Sequence, residues 1–134
     1  RGVSARAKYL SMDRSYIQFA SKEVCRKMSR PTTGRLRRLT RIGQYLRGKP
    51  RLVWKYAMQD ECQLIDVYSD SDWAGCRTSR KSSSGGSIMR GTHCLKTWSK
   101  TQAVIARSSA EAELYGVMRA ATKGLGMLTL MQDM

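Results

Sequence analysis

The stretch Tyr-Ser-Asp-Ser-Asp-Trp-Ala-Gly, residues 68–75, places Asp70 and Asp72 directly after the apolar run Leu64, Ile65, Val67 and Tyr68. A second pair of acids, Glu111 and Glu113, stands in Ser-Ser-Ala-Glu-Ala-Glu-Leu at 108–114. Carboxylates at the end of a strand do one of two things. They shape a turn, where Asp and Ser are common, or they ligate a hard cation such as Mg²⁺, which takes oxygen ligands and keeps several waters. Thiolate chemistry is disfavoured: the four cysteines are scattered without a C-x-x-C pair, and the lone His93 beside Cys94 has no second ligand pair at zinc-like spacing.

The elements that would position these acids are readable from the pattern. Residues 51–58 and 63–69 read as strands joined by a turn, and the polar 79–86 reads as a loop. Residues 87–99 read as a hairpin turning near Gly91, and 102–108 as a further short strand. Ser108 and Glu111 have capping-box spacing, and Leu114, Val117, Met118, Ala121, Leu125, Leu128 and Met131 follow at helical spacing. Gly124 and Gly126 each weaken that helix by about 1 kcal/mol relative to Ala. If the helix packs on the sheet, Asp70 and Glu113 meet at one edge.

The first half reads as helical. Asp13 is a candidate N-cap for a helix with Ile17, Ala20, Val24 and Met28 on one face, stopped by Pro31. Thr32 or Thr33 can cap a second helix, which presents Leu36, Leu39, Ile42, Tyr45 and Leu46 and ends at Gly48 and Pro50. Its other faces carry Arg35, Arg37, Arg38, Arg41 and Arg47, with no acid from 35 to 51. A solvated face is the plain reading of such a run. Uncompensated like-charge repulsion turns it towards a phosphate partner.

Charge separates the halves. The 134 residues carry a formal net charge of +15. Residues 1–60 hold 16 Lys and Arg against three acids, whereas 61–134 hold nine against seven. Such a balance points to a polyanion, usually nucleic acid. No apolar run approaches the roughly 18 residues of a membrane span. Free, mostly buried thiols suit a reducing intracellular setting.

Taken in order, 68–75, Arg-Lys-Ser-Ser-Ser-Gly-Gly at 80–86, Trp-Ser-Lys-Thr-Gln at 98–102 and Ala-Arg-Ser-Ser-Ala-Glu-Ala-Glu-Leu at 106–114 resemble the ribonuclease H domain of copia-type retrotransposon polyproteins. Residues 9–32 and 36–50 are similar to the segment that connects polymerase to ribonuclease H in that family. Each motif alone is weak, but the ordered set is specific. Departures are Cys76 where the family often has Asp, Ser15-Tyr16 in place of Pro-Asp, and Gly124 and Gly126 in the helix.

The resemblance implies an α/β (α+β) class with a ribonuclease H-like mixed sheet, truncated at 51–134 and preceded by two basic amphipathic helices in 1–50. It implies cleavage of the RNA strand of RNA–DNA hybrids by two metal ions. Asp70 and Glu113 match catalytic and metal-ligating positions, while Asp72 and Glu111 are better read as turn and capping acids. Arg35, Arg37, Arg38, Arg41, Arg47 and Lys100 are the candidate nucleic-acid contacts. The third carboxylate is expected beyond Met134, which leaves two of four ligands, Mg²⁺ held weakly or not at all, and no activity from this chain alone. Two carboxylates about 4 Å apart repel by roughly 4 kcal/mol at an effective dielectric of 20. The alternative is a non-catalytic, retroelement-derived basic subunit, with a protein partner covering the open sheet. A ribosomal-type protein fits the composition but not the ordered motifs.

Overall fold

Three helices and a short 3₁₀ turn occupy the first part of the chain: α1 (Gly2–Leu10), the turn Ser15–Ile17, α2 (Gln18–Cys25) and α3 (Thr33–Gly48). The structure, a computed structural model, describes residues 2–26, 28–30 and 32–134. The chain divides into two units, Arg1–Lys55 and Tyr56–Met134.

In the first unit α2 packs on α1 and on α3 around Ala7, Ile17, Val24 and Ile42. The additional helix, α1, buries only Ser4 and Ala7, so no apolar stripe announces it in the sequence. Asp13 does not cap α2. The chain spends Ser15–Ile17 on the 3₁₀ turn first, and the residue at the cap position is Ile17, whose side chain cannot accept a hydrogen bond. Helix α2 ends at Cys25, so Met28 lies past it, and Pro31, read as the stop, is outside the described residues. Thr32 takes the N-cap position of α3 in extended conformation without a capping bond from its hydroxyl. Ile42 is buried and Leu39 and Leu46 half-buried, but Leu36 is exposed.

In the second unit β1 (Asp66–Asp72), β2 (Ser83–Arg90) and β3 (His93–Thr101) form an antiparallel sheet in the order β1-β2-β3, followed by α4 (Ser109–Gln132). The described strands are antiparallel throughout, not mixed. The protein is of the mixed α/β class. Helix α4 covers one face against β1 and β2, and the core is Ile88, Trp98 and Ala120, flanked by Ile65, Val67 and Met127.

Other boundaries differ from the sequence reading, each for a physical reason. Residues 51–58 form no strand: a ladder needs a paired neighbour, and Val53 and Met58 are exposed. The following residues serve instead as an arm on the β2–β3 turn. Gln59 Oε1 accepts from Thr92 N (2.9 Å) and Thr92 Oγ1 (2.8 Å), while its Nε2 donates to Arg90 O (3.0 Å). Residues 83–86, read as loop, belong to β2. Gly86 lies beneath the Trp98 ring, where an added Cβ would stand 2.2 Å from Cζ2, so a small residue is required for pairing. Residues 102–107 form no strand. The hairpin does turn at Gly91.

Candidate functional site

Strand alternation sorts the side chains of β1. Asp66, Tyr68, Asp70 and Asp72 are exposed, and Val67, Ser69 and Ser71 are half-buried. Asp70 and Asp72 are therefore strand residues, not members of the turn that follows. Asp72 does support that turn: its carboxylate lies over Gly75, whose added Cβ would fall 1.8 Å from Oδ2.

The start of α4 is set by its own sequence. Ser108 Oγ accepts from Glu111 N (3.1 Å), and Glu111 Oε2 accepts from Arg107 N (2.7 Å). The reciprocal arm of the capping box reaches one residue before the cap. Glu111 is thus engaged in holding the helix end, and its other oxygen accepts from Tyr115 Oη (3.3 Å). Two residues on, Glu113 Oε1 accepts from Ser71 Oγ at 2.8 Å. Close approach of α4 makes this possible. Gly116 is buried, and a Cβ there would lie 3.8 Å from both Ser71 Cβ and Ser84 Oγ.

A buried polar network sits beside this contact. Gln102, 5% exposed, donates through Nε2 to Ser84 Oγ (2.9 Å) and Ala112 O (2.8 Å), and its backbone N donates to Ser82 O (2.9 Å). Ser82 Oγ accepts from Ala74 N (3.0 Å). Ser71, Ser82, Ser84 and Gln102 were not singled out from the sequence. The available signal was the run of small hydroxyl residues at 82–84 and the Gln closing 98–102.

The structure brings Glu113 onto Ser71, the residue next to Asp70, while Asp70 itself belongs to the exposed set of β1. Both supply hard oxygen atoms suited to Mg²⁺. Among the described residues, however, no group of three or more His, Cys, Asp or Glu side chains could hold a metal. Glu113 already accepts the Ser71 hydroxyl. The residues present do not make a two-ion site, which needs ligands for cations about 3.5–4 Å apart.

The arginines of α3 divide. Arg37, Arg38, Arg41 and Arg47 are exposed, whereas Arg35 is half-buried and donates from Nη1 to Glu23 O (2.8 Å), tying α3 to α2. None of the five pairs with a carboxylate among the described residues. Lys100, exposed on β3, lies near Lys123 of α4. Burial, and then the charges of Lys96, Arg119 and Lys100, pull the Lys123 ammonium below the ordinary lysine range.

Comparison with known proteins decides the ancestry. The chain is 30% identical over 134 residues, its whole length, to the retrovirus-related Pol polyprotein from transposon RE1 of Arabidopsis thaliana, covering 9% of that protein. It is a relative of retrotransposon Pol polyproteins. The corresponding polyprotein from transposon RE2 is 28% identical over the same 134 residues, again 9% of its length. An uncharacterized mitochondrial protein of the same plant, AtMg00810, is 30% identical over 113 residues, 84% of this chain and 47% of that protein. This retrotransposon-related chain therefore spans about half the length of one relative and a small part of the other two. No protein-family model matches it, and no solved structure does. No described helix is long and apolar enough to cross a membrane.

Proposed function

We propose that the chain is the connection segment and amino-terminal part of a copia-type ribonuclease H domain, acting here as a nucleic-acid-binding piece without hydrolytic turnover. What supports this reading is the motif order, with Asp70 near the end of β1 and Glu113 in the first turns of α4, together with the similarity to the RE1 polyprotein over the whole chain. Asp70 itself alternates to the exposed face of β1, opposite the face on which Ser71 meets Glu113, so the two carboxylates do not converge. Asp70 and Glu113 match the motif carboxylates of a metal-dependent site, but among the described residues they belong to no group of three or more that could hold an ion. Mg²⁺, when bound to a complete site, would supply charge stabilisation and an activated water. The chain's own residues position the helix and hold Glu113, and no step is derived beyond that.

The exposed arginines Arg37, Arg38, Arg41 and Arg47 support a phosphate partner, because they lack acidic neighbours. RNA–DNA hybrid is the ligand the ancestry favours. Four free cysteines support a reducing, intracellular setting. A packing role in a larger assembly is the second reading, favoured by the exposed Leu114, Val117, Leu125 and Leu130 on α4.

The test incubates the purified chain with Mg²⁺ and an end-labelled hybrid. The expected result is salt-sensitive binding with no cleavage. Mg²⁺-dependent cleavage that disappears in Asp70→Asn would refute the claim that turnover is lost. Absence of binding at low salt would move the assembly reading ahead.

A further inference from the structure

We propose that Lys96, Lys100, Arg119 and Lys123, gathered around Trp98, form a second phosphate-backbone site on the sheet–helix unit, separate from the carboxylates. The proposal rests on the nucleic-acid reading above and adds a binding surface that the arginines of α3 do not provide. Lys96, Trp98 and Lys100 alternate along β3 and so share a face. Trp98 fixes which face it is, since it joins the core with Ala120 of α4. Arg119 and Lys123 are one turn apart on α4, and Lys123 Nζ stands 5.4 Å from the Trp98 ring centre.

Four cations thus converge from two elements that are distant in sequence. Like charges one helical turn apart destabilise a helix, and none of these four pairs with a carboxylate among the described residues. The acids at the start of α4 are committed elsewhere, Glu111 to Arg107 N and Glu113 to Ser71. Burial first, and then repulsion from Lys96, Arg119 and Lys100, eases proton loss from Lys123. Trp98, 9% exposed with its indole N–H buried, packs beneath Lys123 and anchors the group on the core. A bound anion offsets the repulsion. Lys96 and Lys100 stand four strand residues apart, about 13 Å, so the group suits separate phosphates along a nucleic-acid backbone better than a single small anion.

The experiment measures binding of a fluorescent RNA–DNA hybrid by anisotropy across salt, using the full chain, the Lys100→Gln/Lys123→Gln variant and the Lys96→Gln/Arg119→Gln variant. Circular dichroism checks that each is folded, and the two variants back each other if one fails to fold. Each should flatten the log–log salt slope by about two units. If the unchanged chain binds hybrid and both folded variants keep its slope, this site is overturned while the nucleic-acid reading stands. If the unchanged chain does not bind hybrid, pyrophosphate is titrated while the Trp98 indole N–H resonance, assigned with Trp98→Phe, is followed. A shift that Lys100→Gln/Lys123→Gln abolishes then supports an anion site here and removes nucleic acid as its ligand. No shift overturns the proposal together with the nucleic-acid reading.

Discussion

Ser71 on β1 donates its hydroxyl to Glu113 Oε1 on α4 at 2.8 Å, so one of the two motif carboxylates is held by the residue next to the other. The bond is part-buried and links elements 42 positions apart in the chain. It ties Glu113 to the docking of the helix, whereas Asp70 lies on the opposite, exposed face of β1.

Ser71→Ala should lower stability by about 1–3 kcal/mol, because a part-buried charged acceptor loses its donor. Urea denaturation checks this. Combining it with Glu113→Leu should cost less than the sum of the single changes, since the unpaired carboxylate is then gone. Strict additivity would mean that the bond contributes nothing.

Gly124 and Gly126 should respond oppositely to alanine. A Cβ at Gly124 would stand 2.9 Å from Val67 Cγ2, whereas Gly126 faces open space. Gly126→Ala should stabilise by up to about 1 kcal/mol through helix propensity. Gly124→Ala should forfeit that gain to overpacking of about 1–3 kcal/mol. Adding Val67→Ala to Gly124→Ala should recover part of the loss, which thermal melts of the three variants would read.

Replacing Lys123 should change how stability depends on alkaline pH. Its folded-state value lies below the unfolded one, so the folded chain gives up this proton first. The charged form therefore disfavours folding below the folded value. That penalty is lost as pH rises through the folded value towards the ordinary lysine range. Lys123→Met should raise the denaturation midpoint near neutral pH, and its advantage should shrink as pH rises through that window. An advantage that grows with pH would reverse the sign of the effect.

For the first unit, Arg37→Ala/Arg38→Ala should reduce the log–log salt slope of hybrid binding by about two units and leave the fold intact. Both side chains are exposed and make no carboxylate pair among the described residues. Base sequence should matter little, because phosphate contacts position without specifying. An unfolded variant would assign these arginines to packing.

Features governed by near neighbours were legible in the residues alone. The capping pair Ser108 and Glu111 marks the start of α4, the turn lies at Gly91, and Arg37, Arg38, Arg41 and Arg47 of α3 are exposed while Ile42 is buried. Each depends on a few residues of backbone and on fixed periodicity. Where the outcome depended on a distant partner, local pattern failed. Residues 51–58 have strand composition but form no ladder, and 83–86 look like loop yet pair because Trp98 lies across Gly86. Asp13 has the chemistry of a cap, but the intervening 3₁₀ turn put Ile17 at the helix entrance. The partners of Glu113 and Lys123 were likewise decided by docking of α4 on the sheet. That docking brought Ser71 to the carboxylate and the β3 lysines to the helix, across separations that no local periodicity encodes.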